Sequence, residues 1–415
     1  MINRMCLTMV AIVCFYGPGK ANDATPTVRG DVTVNTQTYR LHARLVYSFT
    51  TPDTSATVRF YLSSAANLRS LRSGQLKNYY IDTASKSART LVLNFERPSS
   101  KADVHFEYDF TFDSAKFNKY GFIELGLDWF WFPAHTAMSG WKFTFDLDVS
   151  IDQENIDLFS NGQVKRSAKT SFVARSIYPD FDIDLFFLKN ARVYPSGTVK
   201  VIGNERNSPL KDSVAVTTRQ YLSYYDEKFG KAAGKVTCVF RPVPNDPNGF
   251  GYARKGYFVL PEPASLSSIK FYVAHELAHF WFLHGEPNEN AWLTESLAEF
   301  AAMMLIRQLD GDSAYNAILH DKKTRMQRFQ ADGRVIPAVD KNGAKNKTMW
   351  SQVALYHKGP LVLEELRQRI GNIKMMQLLK EVAVNRTNTT AQFLDVLERL
   401  TDKATREMML EKLRS

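Results

Sequence analysis

The sequence predicts a multi-domain α+β protein, with an antiparallel β domain over residues 28–190 followed by a mainly helical domain over 195–415. Three observations carry this. Up to about residue 190, apolar residues recur at every second position in segments rich in β-branched and aromatic side chains, the pattern of strands with one wet face. After residue 200 the repeat lengthens to the helical one. From Asn290 onward nearly every segment reads as helix.

Alternation is clearest in 31-DVTVNTQTYRLHARLVYSF-49, 56-ATVRFYLSS-64, 90-TLVLNF-95, 103-DVHFEYDFTFD-113 and 141-WKFTFDLDVSI-151, with turn signals at 161-NG-162 and 195-PSG-197. Ser208-Pro209 reads as a helix entry, a capping hydroxyl followed by proline in the first turn, with Gly230 as the stop. Short strands follow at 236-VTCVF-240 and 256-GYFVL-260. Ser265 then opens a helix expected to end near Gly285, and later helices break near Gly311, Asp332–Gly343, Gly371 and Asn385–Thr390.

Composition supports a folded enzyme-sized chain: 415 residues, 44% hydrophobic, 13% aromatic and 23% charged. The first 21 residues read as a secretory signal peptide, with Arg4, an apolar run Cys6–Tyr16, and small residues Gly19 and Ala21 at a cleavage site. The expected destination is the periplasm or the extracellular space. The run is too short to span a bilayer, so no stable membrane span is expected in the mature chain. Cys6 and Cys14 leave with the leader, so Cys238 stands alone and no intrachain disulfide forms; in VTCVF it reads as a buried strand residue. The net charge is +10, and its densest basic stretch is 320-HDKKTRMQRF-329. That stretch reads as a solvated helix face, not a nucleic-acid surface.

The chemistry concentrates in 273-VAHELAHFWF-282. Residues four apart on a helix share a face, so His275 and His279 can aim their imidazoles at one metal ion. Glu276 falls beside that ion, where a base can reach its water. The flanking residues are uncharged, so the polar seam needs a purpose. A catalytic zinc usually takes a third protein ligand, and Glu295 in 291-AWLTESLAEF-300 supplies it from a second helix. Glu299, one turn on, is read either as an exposed helix residue or as an acceptor for the outer imidazole N–H of His275 or His279. In 355-LYHKGPLVLEELRQRIG-371 the Gly-Pro pair starts or kinks a helix. Tyr356 sits at that break, as a packing residue or as a donor to a reaction oxyanion.

The combination His-Glu-Leu-Ala-His-Phe-Trp-Phe, Trp-Leu-Thr-Glu and Tyr-His-Lys-Gly-Pro resembles the gluzincin aminopeptidases, the aminopeptidase N family. That resemblance implies a saddle-like N-terminal β domain and a thermolysin-like catalytic domain. It implies one Zn2+ per chain on His275, His279 and Glu295, with Glu276 as general base and Tyr356 as the group that stabilises the oxyanion. Three departures accompany it. Fifteen residues separate His279 from Glu295, a few fewer than the family usually has. The Gly-x-Met-Glu-Asn motif, whose glutamate binds the substrate's free amine, is replaced by 251-GYARKGYFVL-260, with Arg254 near the glutamate's position. The sequence ends at Ser415, ahead of the family's large C-terminal helical domain.

The leading expectation is therefore a zinc metallopeptidase acting on peptides or proteins, aminopeptidase-like but without assured recognition of a free amine. Two other readings use the same residues: a catalytically inactive, zinc-stabilised protein that recognises a partner through its β domain, and a zinc hydrolase of non-peptide amides or esters. Oligomeric state is left open.

Overall fold

The computed structural model describes residues 25–52, 55–82, 87–137, 141–231, 234–244, 251–282, 290–330, 337–339 and 350–415. The expected signal peptide, the expected helix end near Gly285 and most of the expected break at Asp332–Gly343 lie outside these residues. An N-terminal β-sheet domain is followed by a helical domain, the arrangement the sequence predicts.

The alternating segments build two facing sheets. The larger has seven strands in the order Gln163–Ala168, Ser171–Arg175, Thr144–Ile151, Thr27–Asn35, Arg40–Thr50, Lys101–Thr111 and Ala66–Arg72. One pairing departs from the antiparallel expectation: Thr27–Asn35 runs parallel to Thr144–Ile151. These strands lie far apart in sequence, so no hairpin constrains their sense. The smaller sheet is Leu76–Asp82, Ala88–Phe95, Thr57–Ser63 and Ala134–His135. The inward residues of the two meet through edge-to-face rings, Phe60 lying 5.5 Å from Tyr47 and 5.6 Å from Phe106.

His135 sits at the margin of this core. Its ring stacks on Trp141 at 3.7 Å, and its Nδ1 accepts the amide of Ala137 at 3.0 Å. Burial lowers the imidazole to about 3, and an accepting nitrogen requires the neutral form. The stability it contributes is present above the ordinary histidine value of 6.5 and is lost as pH falls toward 3. The unfolding temperature is thus expected to drop between pH 6.5 and pH 4 more steeply in the native protein than in His135→Gln. Parallel pH profiles for the two proteins would remove His135 as a cause.

A three-stranded sheet (Ile156–Ser160, Leu185–Lys189, Phe122–Leu125) links this domain to the next. Its Phe122, Phe186 and Leu188 pack on Ile202, Val239, Tyr257 and Val259. Those four line one face of a five-stranded sheet, ordered Arg192–Ser196, Val199–Gly203, Val236–Pro244, Tyr257–Glu262 and Tyr252–Arg254. The opposite face, with Val201, Cys238, Phe258 and Leu260, is buried against helices. Cys238 is a fully buried free cysteine, as its strand context predicts.

The helices are α1 (Ser114–Tyr120), α2 (Ser208–Phe229), α3 (Leu266–Ala278), α4 (Trp292–Gln330), α5 (Trp350–Val353), α6 (Gly359–Val384), α7 (Thr390–Leu400) and α8 (Lys403–Arg414). Helix α2 begins at Ser208 and stops at Gly230, but Ser208 is not its cap. Asn207 holds that position in the left-handed region, while the Ser208 hydroxyl donates backward to Glu205 O at 2.7 Å. Ser265 does cap α3: its Oγ accepts from Ser268 N, and its own N–H donates in return to Ser268 Oγ. The kinks at Gly311 (φ 89°) and Gly371 (φ 80°) fall where the sequence predicts breaks, both in conformations that only glycine adopts without strain. No helix among the described residues is long and apolar enough to cross a membrane.

Candidate metal centre and active site

Helix α3 is short. It ends at Ala278, seven residues before the expected stop, and its last turn tightens through Phe280 N to Leu277 O (3.1 Å) and Trp281 N to Ala278 O (3.0 Å). His279 caps the helix with φ −59° and ψ −20°, near enough to helical that its side chain still projects along the same face as His275. Both imidazoles are buried, at 6% and 5% exposure. Tyr225 fixes the helix from behind, its hydroxyl donating to Ala274 O at 3.0 Å.

Helix α4 brings in the third group. Its start is tied down by Asn290, whose Oδ1 accepts from Thr390 N (2.7 Å) and Thr390 Oγ1 (2.8 Å), and by Trp292 Nε1 donating to Thr390 Oγ1 (2.9 Å). Glu295 Oε2 then lies 3.5 Å from His275 Nε2 and 3.6 Å from His279 Nε2, and the two nitrogens are 3.1 Å apart. A tetrahedral zinc with ligands at about 2.0–2.1 Å asks for ligand atoms about 3.3 Å from one another. The triangle fits a zinc ion without rearrangement.

Electrostatics agree. Burial lowers the His275 imidazole, but Glu299 and Glu295 outweigh it and hold the group at about 10. For His279 burial wins, and the ring drops to about 4. Burial would raise Glu295, yet the two histidines hold it at about 2. The cage favours one positive charge among its three donors, which a metal ion would supply in place of a proton.

Glu276 is 5% exposed, and its Oε2 has no hydrogen-bond partner among the described residues. Burial raises it to about 7, against a counter-pull from His275. The other oxygen lies under Gly251: a Cβ there would meet Oε1, and would stand 2.7 Å from Leu260 Cδ2. The backbone at residue 251 thus forms one wall of the site, and only glycine leaves room for the Glu276 carboxylate.

Glu299 is buried, not exposed, and lies 2.6 Å by Oε2 from His275 Nδ1. Of the two imidazoles its reading left open, it is His275 that it reaches. Tyr356 lies in a π-helical turn, Ala354–Lys358, between α5 and α6. Its ring centroid is 5.7 Å from that of His275, and its hydroxyl bonds the Glu295 carboxylate. Burial, then the charge of Glu295, push the phenol well above its usual range, so it remains a donor.

Arg254 behaves differently. It does not join the metal-binding group; its Nε and Nη2 hold Asp182 Oδ2 at 2.9 and 2.7 Å, and Nη1 bonds Ala253 O at 2.8 Å. The Phe181 and Tyr252 rings lie 4.9 and 5.0 Å from its guanidinium carbon. The guanidinium is buried and engaged by Asp182 and Ala253 inside the protein. Sequence reasoning missed Asp182 and its buried neighbour Asp184, although the alternation in 180-DFDID-184 places acids at every second position of a segment entering the core. It also missed the ion pair of Arg241 with Glu124 (2.6 Å) and the buried Lys322.

The whole fold is similar to that of an M1 zinc metallopeptidase from Deinococcus radiodurans, with a TM-score of 0.71 at 14% identity over 98% of this chain and 97% of that one. A mutant of the same protein bound to a Tyr-Ser-Ala substrate gives 0.71 at 14% identity over 98% of each chain. Native LTA4 hydrolase from yeast gives 0.76 at 14% identity, covering 94% of this chain and 66% of that chain. No curated protein matches the sequence. Residues 261–413, which hold His275, Glu276, His279, Glu295, Glu299 and Tyr356, match the Peptidase family M1 domain.

Proposed function

We propose that the chain is a zinc-dependent metallopeptidase in which His275, His279 and Glu295 hold the metal and Glu276 is the general base. The observation that carries this is the buried donor triangle, with sides of 3.1, 3.5 and 3.6 Å, beside a carboxylate with one oxygen that has no partner among the described residues. When bound, zinc supplies Lewis acidity and acidifies water in the cleft. Glu276 takes a proton from the attacking water and returns it to the leaving nitrogen. Tyr356, kept protonated, donates to the oxyanion that forms at the scissile carbonyl. The match over 261–413 and the similar structure bound to Tyr-Ser-Ala support a peptide as the substrate class.

Recognition of a free amino terminus is not part of this reading. Where the resemblance sets an amine-binding glutamate, this chain has Arg254, and its guanidinium is paired with Asp182. We expect the purified protein to carry one zinc and to cleave peptides in a chelator-sensitive way, with N-acetylated peptides cleaved within about tenfold of free ones. Bound zinc with no cleavage of any peptide would favour the inactive binding protein, and a strict need for a free amine would restore the aminopeptidase mode. Export through residues 1–21 belongs to the same reading, and the amino-terminal sequence of the mature protein tests it.

A further inference from the structure

Lys322 belongs to the basic segment 320–329 whose composition predicts a wet face, yet its side chain is 4% exposed. Its neighbours Asp321, Lys323 and Arg325 are exposed as expected. A buried ammonium group is costly unless its charge and donors are used, and here they are. Nζ contacts Glu299 Oε1, whose other oxygen lies against His275 Nδ1 at 2.6 Å. Nζ also donates to the carbonyl of Tyr356 at 2.8 Å, and it lies 5.4 Å over the Phe271 ring on α3.

Pro360 leaves one carbonyl of this turn, that of Tyr356 or Leu355 according to the register, without its helical donor. In an α-helical register the Tyr356 carbonyl would receive the N–H four residues on, at position 360, and in a π register the same N–H would go to Leu355. Position 360 is proline, which has no N–H. Both carbonyls are instead met from α4: Leu355 O by Ser296 Oγ at 2.7 Å, and Tyr356 O by Lys322. The helix that carries Glu295 therefore also secures the turn that carries Tyr356.

We propose that Lys322 is a positioning residue that couples the two halves of the site: one ammonium group holds Glu299 against the outer nitrogen of His275 and fixes the turn from which Tyr356 projects. For its metal this rests on the metallopeptidase reading, although the contacts themselves do not. Lys322→Met is expected to weaken zinc binding by about 10–100-fold, measured by competition with a chromophoric chelator. It should also alter the visible spectrum of the cobalt-substituted protein and lower kcat with KM little changed. Lys322→Arg, which keeps the charge, should recover part of the zinc affinity. Because both residues act on one imidazole, Glu299→Gln/Lys322→Met should bind zinc no more weakly than Glu299→Gln. That comparison also serves if Lys322→Met alone fails to fold, since the double variant leaves no unpaired carboxylate.

A Lys322→Met protein with a lower melting temperature but wild-type zinc affinity and cobalt spectrum would show a packing role and overturn the proposal. So would a further tenfold loss of zinc affinity in the double variant. A wild-type protein that takes up no zinc would instead remove the metallopeptidase reading, a result distinct from either.

Discussion

Glu276→Gln is expected to lower kcat by about 10²–10⁴-fold while zinc affinity stays within a few-fold of the native protein. The substitution is nearly isosteric, which matters because one carboxylate oxygen is confined by the backbone at Gly251 and by Leu260. The second oxygen is buried with no partner among the described residues, so exchanging it for an amide breaks no contact. What is lost is the lone pair that accepts a proton, together with the charge that makes accepting it favourable. The side chains proposed to hold the metal are separate groups, His275 on α3, His279 at its cap and Glu295 on α4, and the substitution alters none of them, so the metal should stay. Steady-state turnover and zinc stoichiometry measured on one preparation decide the matter. Full turnover in a zinc-loaded glutamine variant would remove Glu276 as the base, and a protein that had lost its zinc would show that Glu276 shapes the cage.

Much of this site could be read from local sequence because its logic is local. Two histidines four apart must share a helical face, and the polar seam they make among Val273, Ala274, Leu277 and Ala278 has few purposes other than a metal. Glu295 was legible for a similar reason, one helix later. The strands of the β domain announced themselves because a sheet with one buried face imposes a period of two on its sequence. Lys322 was hidden by the same kind of argument. On its own helix it is one more cation in 320-HDKKTRMQRF-329, and its burial comes from the π turn, α3 and Glu299 converging on it. Arg254 read from sequence only as a cation near the expected amine-binding position, because its partner Asp182 lies 72 residues earlier. Helix α3 ended early and Ser208 turned away from its expected cap through short-range hydrogen bonds, to Leu277, Ala278 and Glu205, that compete with the regular helical ones. The placements of Lys322 and Arg254 depend instead on contacts between elements, which periodicity does not encode.

Tyr356→Phe is expected to lower kcat by about 10²–10³-fold, the usual loss on removing one donor to a reaction oxyanion. Gly359→Ala should reproduce most of that loss with the phenol still present. Gly359 has ordinary helical angles (φ −54°, ψ −51°), so the reason for glycine there is space, not backbone strain. A Cβ at 359 would collide with Ser296 Oγ and stand 2.5 Å from Ser296 Cβ. Ser296 is fully buried in α4, one residue beyond Glu295, and its hydroxyl holds Leu355 O at 2.7 Å. It cannot move without disturbing either Glu295 or the tyrosine turn. The cheaper response is for the turn to lift from α4, at about 1–3 kcal/mol of stability, carrying the Tyr356 hydroxyl away from Glu295. Pairing Gly359→Ala with Ser296→Gly removes the collision at the expense of one hydrogen bond, and should restore part of both kcat and melting temperature. Were Gly359→Ala to keep native turnover while Tyr356→Phe lost it, close packing at Gly359 would not be what aims the phenol. A loss of zinc in Gly359→Ala would mean that the strain had been taken up by α4 and its Glu295 instead.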